Sequence, residues 1–423
     1  MSAGAWTYRY DCASIRNERK NFKSLIKIKD NINILSDLED YLNQLIRKKN
    51  IFREQSFKKL KQVLANLKIK KPNKIISITG TNGKGSTAEI LSRVLLKNKY
   101  EVGLFTSPHL IKFNERIRIN NENIDDTELL NCLEEVDKLK ESKELNFYQI
   151  IAAAAFLFFS KKKLDVWILE VGLGGRLDPA NYFDADISVI TKVALDHENI
   201  LGKGVENIGR EKAGIFRTNQ TVIFGEGFMP NSVLKIAEKL NVDLHKVDDT
   251  NMESAYFHKN SLGISKKIFE LHFPEIDAKS ELEKINEHAF LGRNHLVSKN
   301  LLLDVSHNSD SIENLKNFIN KYYSEFTLNA IFTCDKDKQL PNILKPIINI
   351  IDDWYLPELN HPQIMKNIEI ENYLVRKGKN VFCGHEISEI NDIVDKTDKN
   401  TLFVAFGSFK LVGKFYEVLN IKI

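Results

Sequence analysis

Hydrophobic residues along the chain change their spacing several times, and each change marks an element. Over residues 37–69 the apolar positions Leu38, Leu42, Leu45, Leu60, Val63, Leu64 and Leu67 recur near the helical period in a polar background, which predicts amphipathic helices. At residue 75 the pattern becomes a short apolar run (75–79), a glycine-rich octapeptide, and then a helical stripe carrying Ile90, Leu91, Val94 and Leu95. Similar runs at 102–105, 166–171, 187–191 and 222–224 are separated by helical stretches, and the longest apolar run, 150–159, reads as a buried helix. Apolar strands alternating with helices predict a mostly parallel sheet wrapped by helices.

The rhythm fades over 241–287, a polar stretch interrupted by Phe273-Pro274, so a domain boundary is expected near its end. Beyond it, runs at 301–305, 329–332, 353–356, 381–383 and 402–406 alternate with helices and predict a smaller Rossmann-like domain. The expected organisation is an α/β fold in two domains, residues 21–287 and 288–423. The length of 423 residues agrees, since it exceeds what one hydrophobic core usually organises.

Composition narrows the classes. Apolar residues at 43% and charged residues at 28% are ordinary for a globular protein, and no apolar stretch is long enough to cross a bilayer. A net charge of +4 spread along the chain disfavours nucleic acid as a partner. Cys12, Cys132, Cys334 and Cys383 lie far apart with no Cys-x-x-Cys pair, which argues against a structural zinc or redox motif. The first twenty residues lack the apolar core of a secretory signal and read as a variable tail, so a cytoplasmic location is expected.

The chemistry concentrates in Gly80-Thr81-Asn82-Gly83-Lys84-Gly85-Ser86-Thr87, set between a buried strand and a helix. Glycines there let backbone N–H groups point at a phosphate while the helix N-terminus adds partial positive charge. Lys84 would reach the β- and γ-phosphates of ATP, and Ser86 or Thr87 could place a hydroxyl on Mg²⁺. The generic Walker spacing is not met, because Ile78 stands where its first glycine would be and Gly85 follows Lys84, so a plain kinase or GTPase is disfavoured. Gly172, Gly174 and Gly175 do not complete a dinucleotide fingerprint either, since Leu177 occupies its third glycine. Glu170 ends one predicted strand and His197 follows another, which puts both at the carboxyl edge of the sheet, where doubly wound folds keep their ligands.

The octapeptide resembles the nucleotide loop of Mur-type ligases, in the form typical of folylpolyglutamate synthases. Thr106-Ser107-Pro108-His109-Leu110, Asn114-Glu115-Arg116-Ile117, the segment from Leu169 to Asp178, Ala194-Leu195-Asp196-His197 and Glu211-Lys212-Ala213-Gly214-Ile215-Phe216 resemble further blocks of that family. Gly292-Arg293, Asp304-Val305-Ser306-His307-Asn308 and Gly407-Ser408-Phe409 continue the match in the same order. The resemblance implies a large P-loop-type Mur ligase central domain, a Rossmann-like C-terminal domain, and an ATP-dependent ligase that adds L-glutamate to dihydropteroate, to folates carrying glutamate, or to both, through an acyl phosphate. It also implies two Mg²⁺ sites, one on ATP held by Ser107 with the loop hydroxyl, the other held by Glu170, His197 and a carboxylated Lys212. Carboxylation requires a neutral amine, so Lys212 must be buried enough to lose its proton near neutrality.

By the same resemblance Arg116 orients a carboxylate or phosphate, Arg293, Asp304 and His307 serve the nucleotide or glutamate, and Tyr148, Asp178 and Ser408 lie on the substrate side. A monomer is implied. Three departures stand out. Tyr148-Gln149 replaces an aromatic-Glu pair, Pro179 replaces an alanine, and no Asn-containing helix of the family's kind is expected over 272–291. A muramyl-peptide ligase is the nearest rival, but it would need a further N-terminal domain; a catalytically silent nucleotide-binding homologue is the other.

Overall fold

The computed structural model describes residues 38, 40–45, 54–247, 252, 254, 257–285 and 290–421. The tail of twenty residues and the boundary set between residues 287 and 288 lie outside the described residues. Of the amphipathic stretch 37–69, residues 40–45 are helical and the helix Glu54–Asn66 buries Phe57, Leu60, Val63 and Leu64 on one face.

Two sheets carry the fold. Among the described residues the first comprises β1 (Lys74–Thr79), β2 (Val102–Phe105), β3 (Ile117–Ile119), β4 (Glu122–Asn123), β5 (Val166–Glu170), β6 (Ile187–Ile190), β7 (Thr221–Phe224) and β8 (Asp243–Lys246), in the order β4-β3-β2-β5-β1-β6-β7-β8. Across the row β2-β5-β1-β6-β7-β8 every pairing is parallel, and β3 pairs antiparallel with both β2 and β4. The second comprises β9 (His295–Ser298), β10 (Leu301–Leu303), β11 (Thr327–Phe332), β12 (Asp353–Leu356), β13 (Asn380–Cys383) and β14 (Thr401–Phe406), in the order β13-β12-β11-β14-β10-β9, with only β9 antiparallel.

Helices on both faces explain why the central strands are buried throughout: β5 and β14 are buried at every residue. On one face of the first sheet the helix Phe147–Ser160, buried from Gln149 to Phe159, packs against Trp167 and Phe105. Its start is set by a capping box, in which Asn146 Oδ1 accepts from the Gln149 N–H and Gln149 Oε1 accepts from the Asn146 N–H. On the other face the helices Lys84–Lys97, Lys259–His272 and Ala278–Ile285 share a core with Ile76, Ile78 and Ile168.

The stretch 241–287 therefore does not leave the α/β pattern, contrary to the sequence expectation. It supplies the edge strand β8 and two covering helices. β8 is Asp-Leu-His-Lys, half-exposed at the sheet edge, and so carries no apolar run by which to recognise it.

The two sheets' units meet at an apolar peg. Leu110, on the loop after β2, packs into the core under the last helix, Phe409–Val418, where a Cβ on Gly413 would stand 2.0 Å from the Leu110 carbonyl oxygen. Gly413→Ala gains about 1 kcal/mol of helix propensity but forces a methyl into backbone that cannot rotate away. The expected net outcome is a loss of about 1–3 kcal/mol, read as a lower urea midpoint; an unchanged or higher midpoint would show that this seam yields.

Candidate active site

β1 delivers the chain straight into the glycine loop, and the loop into the helix Lys84–Lys97. That helix opens on Gly83, at φ 85°, with no side chain capping it. No acceptor among the described residues is bonded to the N–H of Asn82 or Gly83, so the cradle presents free donors at a positive helix end. Gly80 is held against Thr191, whose hydroxyl oxygen would lie 1.8 Å from an added Cβ, and that hydroxyl donates to the Asn82 carbonyl at 2.6 Å. Thr81 is anchored by its N–H to the Lys192 carbonyl at 2.9 Å and by its hydroxyl to the Ala194 carbonyl at 3.1 Å. The Lys84 ammonium folds back on the Gly80 carbonyl at 3.0 Å. Ser86 and Thr87 are buried behind it, and the Thr87 hydroxyl has no hydrogen-bond partner.

Glu170 ends β5 facing this loop, with Gly85 directly over it. It is 3% exposed, and among the described residues its carboxylate accepts one hydrogen bond, to Oε2 from the Ser107 N–H at 3.0 Å. Burial pushes its carboxyl above the ordinary range, while Lys84, the Ser107 N–H, Arg293 and Arg116 pull the other way. None of those three cations forms an ion pair with it among the described residues. Arg116 instead donates from Nε to His109 Nδ1 at 2.9 Å and lies over the Phe113 ring. The Arg293 guanidinium makes no hydrogen bond or ion pair there and rests over Phe409. Tyr148 sits beside Ser107 with its hydroxyl 3.5 Å from the Glu170 carbonyl oxygen, and burial raises that hydroxyl well above its usual range.

Asp178 is fully buried beneath the loop that follows β5. One of its oxygens accepts from the Gly172 and Leu173 N–H groups at 3.0 and 3.2 Å, the other from Ala180 at 2.9 Å. Burial still pushes it to about 7. In this arrangement it orders the glycine turn.

His197 follows β6 in a left-handed turn, φ 51°, ψ 33°, and its N–H donates to Asp196 Oδ1 at 2.9 Å. Lys212 projects from the helix Val205–Ala213. It is 4% exposed, has no hydrogen bond or ion pair among the described residues, and is lowered to about 7 by burial and then by the field of Lys84. Half of an isolated population would thus be the free amine near neutral pH.

The second sheet's carboxyl edge brings its own loop to this place. Asp304 receives the Asn294 and Ser306 N–H groups at 2.9 and 2.8 Å. His307 donates from Nδ1 to the Val305 carbonyl at 2.9 Å and is lowered to about 4 by burial, so it is neutral with Nε2 free to accept. Asn308 exchanges amide hydrogen bonds with Asn82 of the phosphate loop at 2.9 and 3.0 Å, and Asp310 accepts from Asn82 at 2.8 Å. The structure therefore gathers Lys84, Glu170, Ser107, Arg116, Arg293, Tyr148, His197, Lys212 and His307 around one cleft. Ser408 caps the last helix, accepting from the Lys410 N–H at 3.2 Å, and sits between Gly407, whose N–H donates to the Ser306 carbonyl at 2.8 Å, and Phe409, whose ring meets that of His307.

The described helix within 272–291, Ala278–Ile285, carries no asparagine, and an Asn-bearing helix meets the nucleotide loop upstream of it, at Lys259–His272. Asn260 donates to the Thr191 carbonyl at 2.8 Å and accepts from the Glu226 N–H, also at 2.8 Å, while Ser261 lies against Gly83. Beside Asn260 this helix carries Ser261, Leu262, Gly263 and Ile264, and Ala278–Ile285 follows as the next helix. Sequence reading also gave no role to Asp196, Lys192 and Lys338. The Asp196 signal was present, beside His197 in a quoted block; Lys338 sits in a polar loop with none.

Residues 78–298 match the family model described as the Mur ligase middle domain. The chain is 31% identical over 400 residues to the dihydrofolate synthase/folylpolyglutamate synthase of Buchnera aphidicola subsp. Acyrthosiphon pisum, covering 89% of this chain and 96% of that one. Its counterpart in Escherichia coli is 30% identical over 387 residues, 85% of this chain and 90% of that one. Among solved structures, FolC of Escherichia coli in complex with DHPP and ADP superposes with a TM-score of 0.83 at 26% identity, over 90% of this chain and 97% of that one. The bifunctional folylpolyglutamate synthase/dihydrofolate synthase of Yersinia pestis, complexed with AMPPNP and Mn ion, gives 0.81 at 28% identity, over 91% and 98%.

The burial of Lys212 has a measurable consequence. Its folded value lies below the unfolded one, so between about pH 7 and 10.5 the unfolded chain binds more protons and stability rises with pH. Lys212→Met removes that cost. In metal-free, CO₂-depleted buffer its stability advantage over the unsubstituted chain should be largest at pH 7 and shrink by up to about 1.4 kcal/mol per pH unit toward pH 9. Urea unfolding at both pH values reads it, and a gap independent of pH would mean the amine is not desolvated.

Proposed function

The chain belongs to the dihydrofolate synthase/folylpolyglutamate synthase family of Mur-type ligases, and from that premise we propose that it joins L-glutamate to dihydropteroate, to tetrahydrofolate or its glutamates, or to both, at the expense of ATP. The observation that carries this reading is the uncapped glycine cradle facing a buried carboxylate whose three neighbouring cations are left unpaired with it. Such a place attracts polyanions and gains from cations.

The reaction divides into two balanced steps. An oxygen of the substrate carboxylate attacks the γ-phosphorus, the bond to the bridging oxygen breaks, and ADP leaves with its electron pair. The glutamate amine then attacks the acyl carbon, inorganic phosphate departs, and the nitrogen gives up a proton. Both steps gather negative charge. Lys84 and the loop N–H groups hold the phosphates, Arg116 and Arg293 offset charge at the acyl phosphate, and His307, neutral, accepts a hydrogen bond through Nε2.

The residues fit divalent cations brought in with the nucleotide. Among the described residues no three His, Cys, Asp or Glu side chains are arranged to hold a metal ion alone. A Lys212 carbamate would complete a set with Glu170 and His197 at one site, and Ser107 with Ser86 or Thr87 would supply hydroxyl oxygens at a second. Mg²⁺ there neutralises phosphate charge. The carbamate forms when the Lys212 amine adds to CO₂ and loses a proton, which its burial favours. The same reading takes the protein as a cytoplasmic monomer whose partners are small molecules.

Purified protein with ATP, Mg²⁺ and L-glutamate should release ADP and form a glutamyl amide when dihydropteroate or tetrahydrofolate is supplied, and neither without a pterin. Amide with one pterin alone assigns a single step; none with either would send the reading to another acyl substrate. Lys84→Ala should lower kcat by about 10²–10³-fold or more. Lys212→Ala should lose activity and regain part of it with a short carboxylate such as acetate, and an Ala variant as active as the parent would remove the carbamate from the scheme.

A further inference from the structure

One ion pair in the cleft has no role in the account above. Lys338 Nζ lies 3.0 Å from Asp196 Oδ1, with the two side chains 10% and 13% exposed. Asp196 follows β6 of the first sheet and Lys338 follows β11 of the second, each beyond the carboxyl end of its strand, so the pair bridges the two sheets' ligand-bearing edges. Asp196 is its sole carboxylate among the described residues. The other cross-cleft pair differs in this respect, because Lys192 is shared between Asp310 and Glu226.

The same carboxylate holds the local geometry. Asp196 Oδ1 accepts the N–H of His197, a non-glycine residue in the left-handed region, and Oδ2 accepts from Asn308 Nδ2 at 3.3 Å. A left-handed turn at histidine persists only where its surroundings fix it. A nearly buried ion pair is also a poor stabiliser of a fold, because removing two charges from water offsets their attraction. Its position therefore makes better sense in the reaction than in the core.

We propose that Lys338 is a positioning residue of the ligase reaction. Carried by the second sheet's unit, its ammonium clasps Asp196 across the cleft, fixes the His197 turn and keeps water from the activated carboxyl until the amine attacks. This rests on the ligase reading. If the clasp is lost, water attacks the acyl carbon in place of the amine, returning the free acid and inorganic phosphate, and ATP is consumed without an amide.

The test follows ADP and amide together in one time course, with the full chain, ATP, Mg²⁺, L-glutamate and the pterin the unsubstituted protein accepts. That protein should give ADP and amide in parity. Lys338→Met should slow amide formation by up to about 10²-fold, as a misplaced reacting group does, with KM for ATP little changed and ADP exceeding amide. Lys338→Arg, which keeps the cation, should recover most of the coupling. Asp196→Asn added to Lys338→Met should cost little more than Lys338→Met alone. A folded Lys338→Met that makes ADP and amide in parity at the parental rate overturns the proposal. Should that variant unfold, Lys338→Gln decides by the same ratio. If the unsubstituted protein forms no amide with any pterin, it is the ligase reading that fails, whatever Lys338 does.

Discussion

A carboxylate shut away from water must be met by positive charge, and the site is organised around that requirement at Glu170. Strand β5 carries it to the carboxyl edge of the sheet, where among the described residues the Ser107 N–H alone donates to its carboxylate and Lys84, Arg116 and Arg293 reach it by field alone. Had any of the three closed on it directly, the pair would have been satisfied and inert. Each is held off by something else: the loop carbonyls hold Lys84, His109 and Phe113 hold Arg116, and the Phe409 ring holds Arg293. The surplus of positive field is left for phosphate and carboxylate groups that arrive from solution, and Glu170 is left without a close cation among the described residues.

The same economy runs along the seam between the two units. At one end Leu110 is an apolar peg under Gly413 and Gly292, packed so tightly that neither glycine has room for a methyl group. At the nucleotide end the contacts are polar, with amide and carboxylate exchanges among Asn82, Asn308 and Asp310 beside the ion pairs Lys192–Asp310 and Lys338–Asp196. A neutral hydrogen bond such as those between Asn82 and Asn308 contributes only about 0.5–1.5 kcal/mol net, because water replaces it nearly as well. Phosphate oxygens can do so too. The joint is thus firm where no ligand goes and exchangeable where one does.

Much of this was legible in the chain. Unbroken apolar runs marked nearly every central strand, because a parallel sheet covered on both faces leaves no polar alternation to confuse them. The phosphate loop was legible because its glycines answer to backbone geometry at Gly80 and Gly83. What escaped was short and at edges: β3, β4, β8 and β9 hold two to four residues each, partly exposed, with charged or polar residues that carry no period. The helix Lys259–His272 was overlooked for a different reason. Its close approach to Lys84–Lys97 needs small side chains on one stripe, and serine and glycine satisfy that as well as alanine does, so composition misled where shape would not have. The contacts of Asp178, Asp304 and Ser408 could not be read either, since a motif gives the residue and only the fold shows that its oxygens are taken up by neighbouring N–H groups.

Three lysines in the cleft show how far residue type falls short of chemistry. Lys84 is satisfied by loop carbonyls, which a phosphate can displace at little cost because both are oxygen acceptors. Lys338 is bound to one carboxylate and works as a fixed charge. Lys212 has neither, and burial beside Lys84 draws its proton affinity down to about 7. Neutral amine is the form that reacts with CO₂, and the carbamate it yields is an anion beside Lys84, where the ammonium was repelled. The arrangement that makes Lys212 costly as a cation is thus the one that makes its modification favourable. An arginine could not replace it, because guanidinium keeps its charge at any pH a protein survives. Burial with a cation neighbour and without a partner among the described residues, rather than the letter in the sequence, sets Lys212 apart from Lys84 and Lys338.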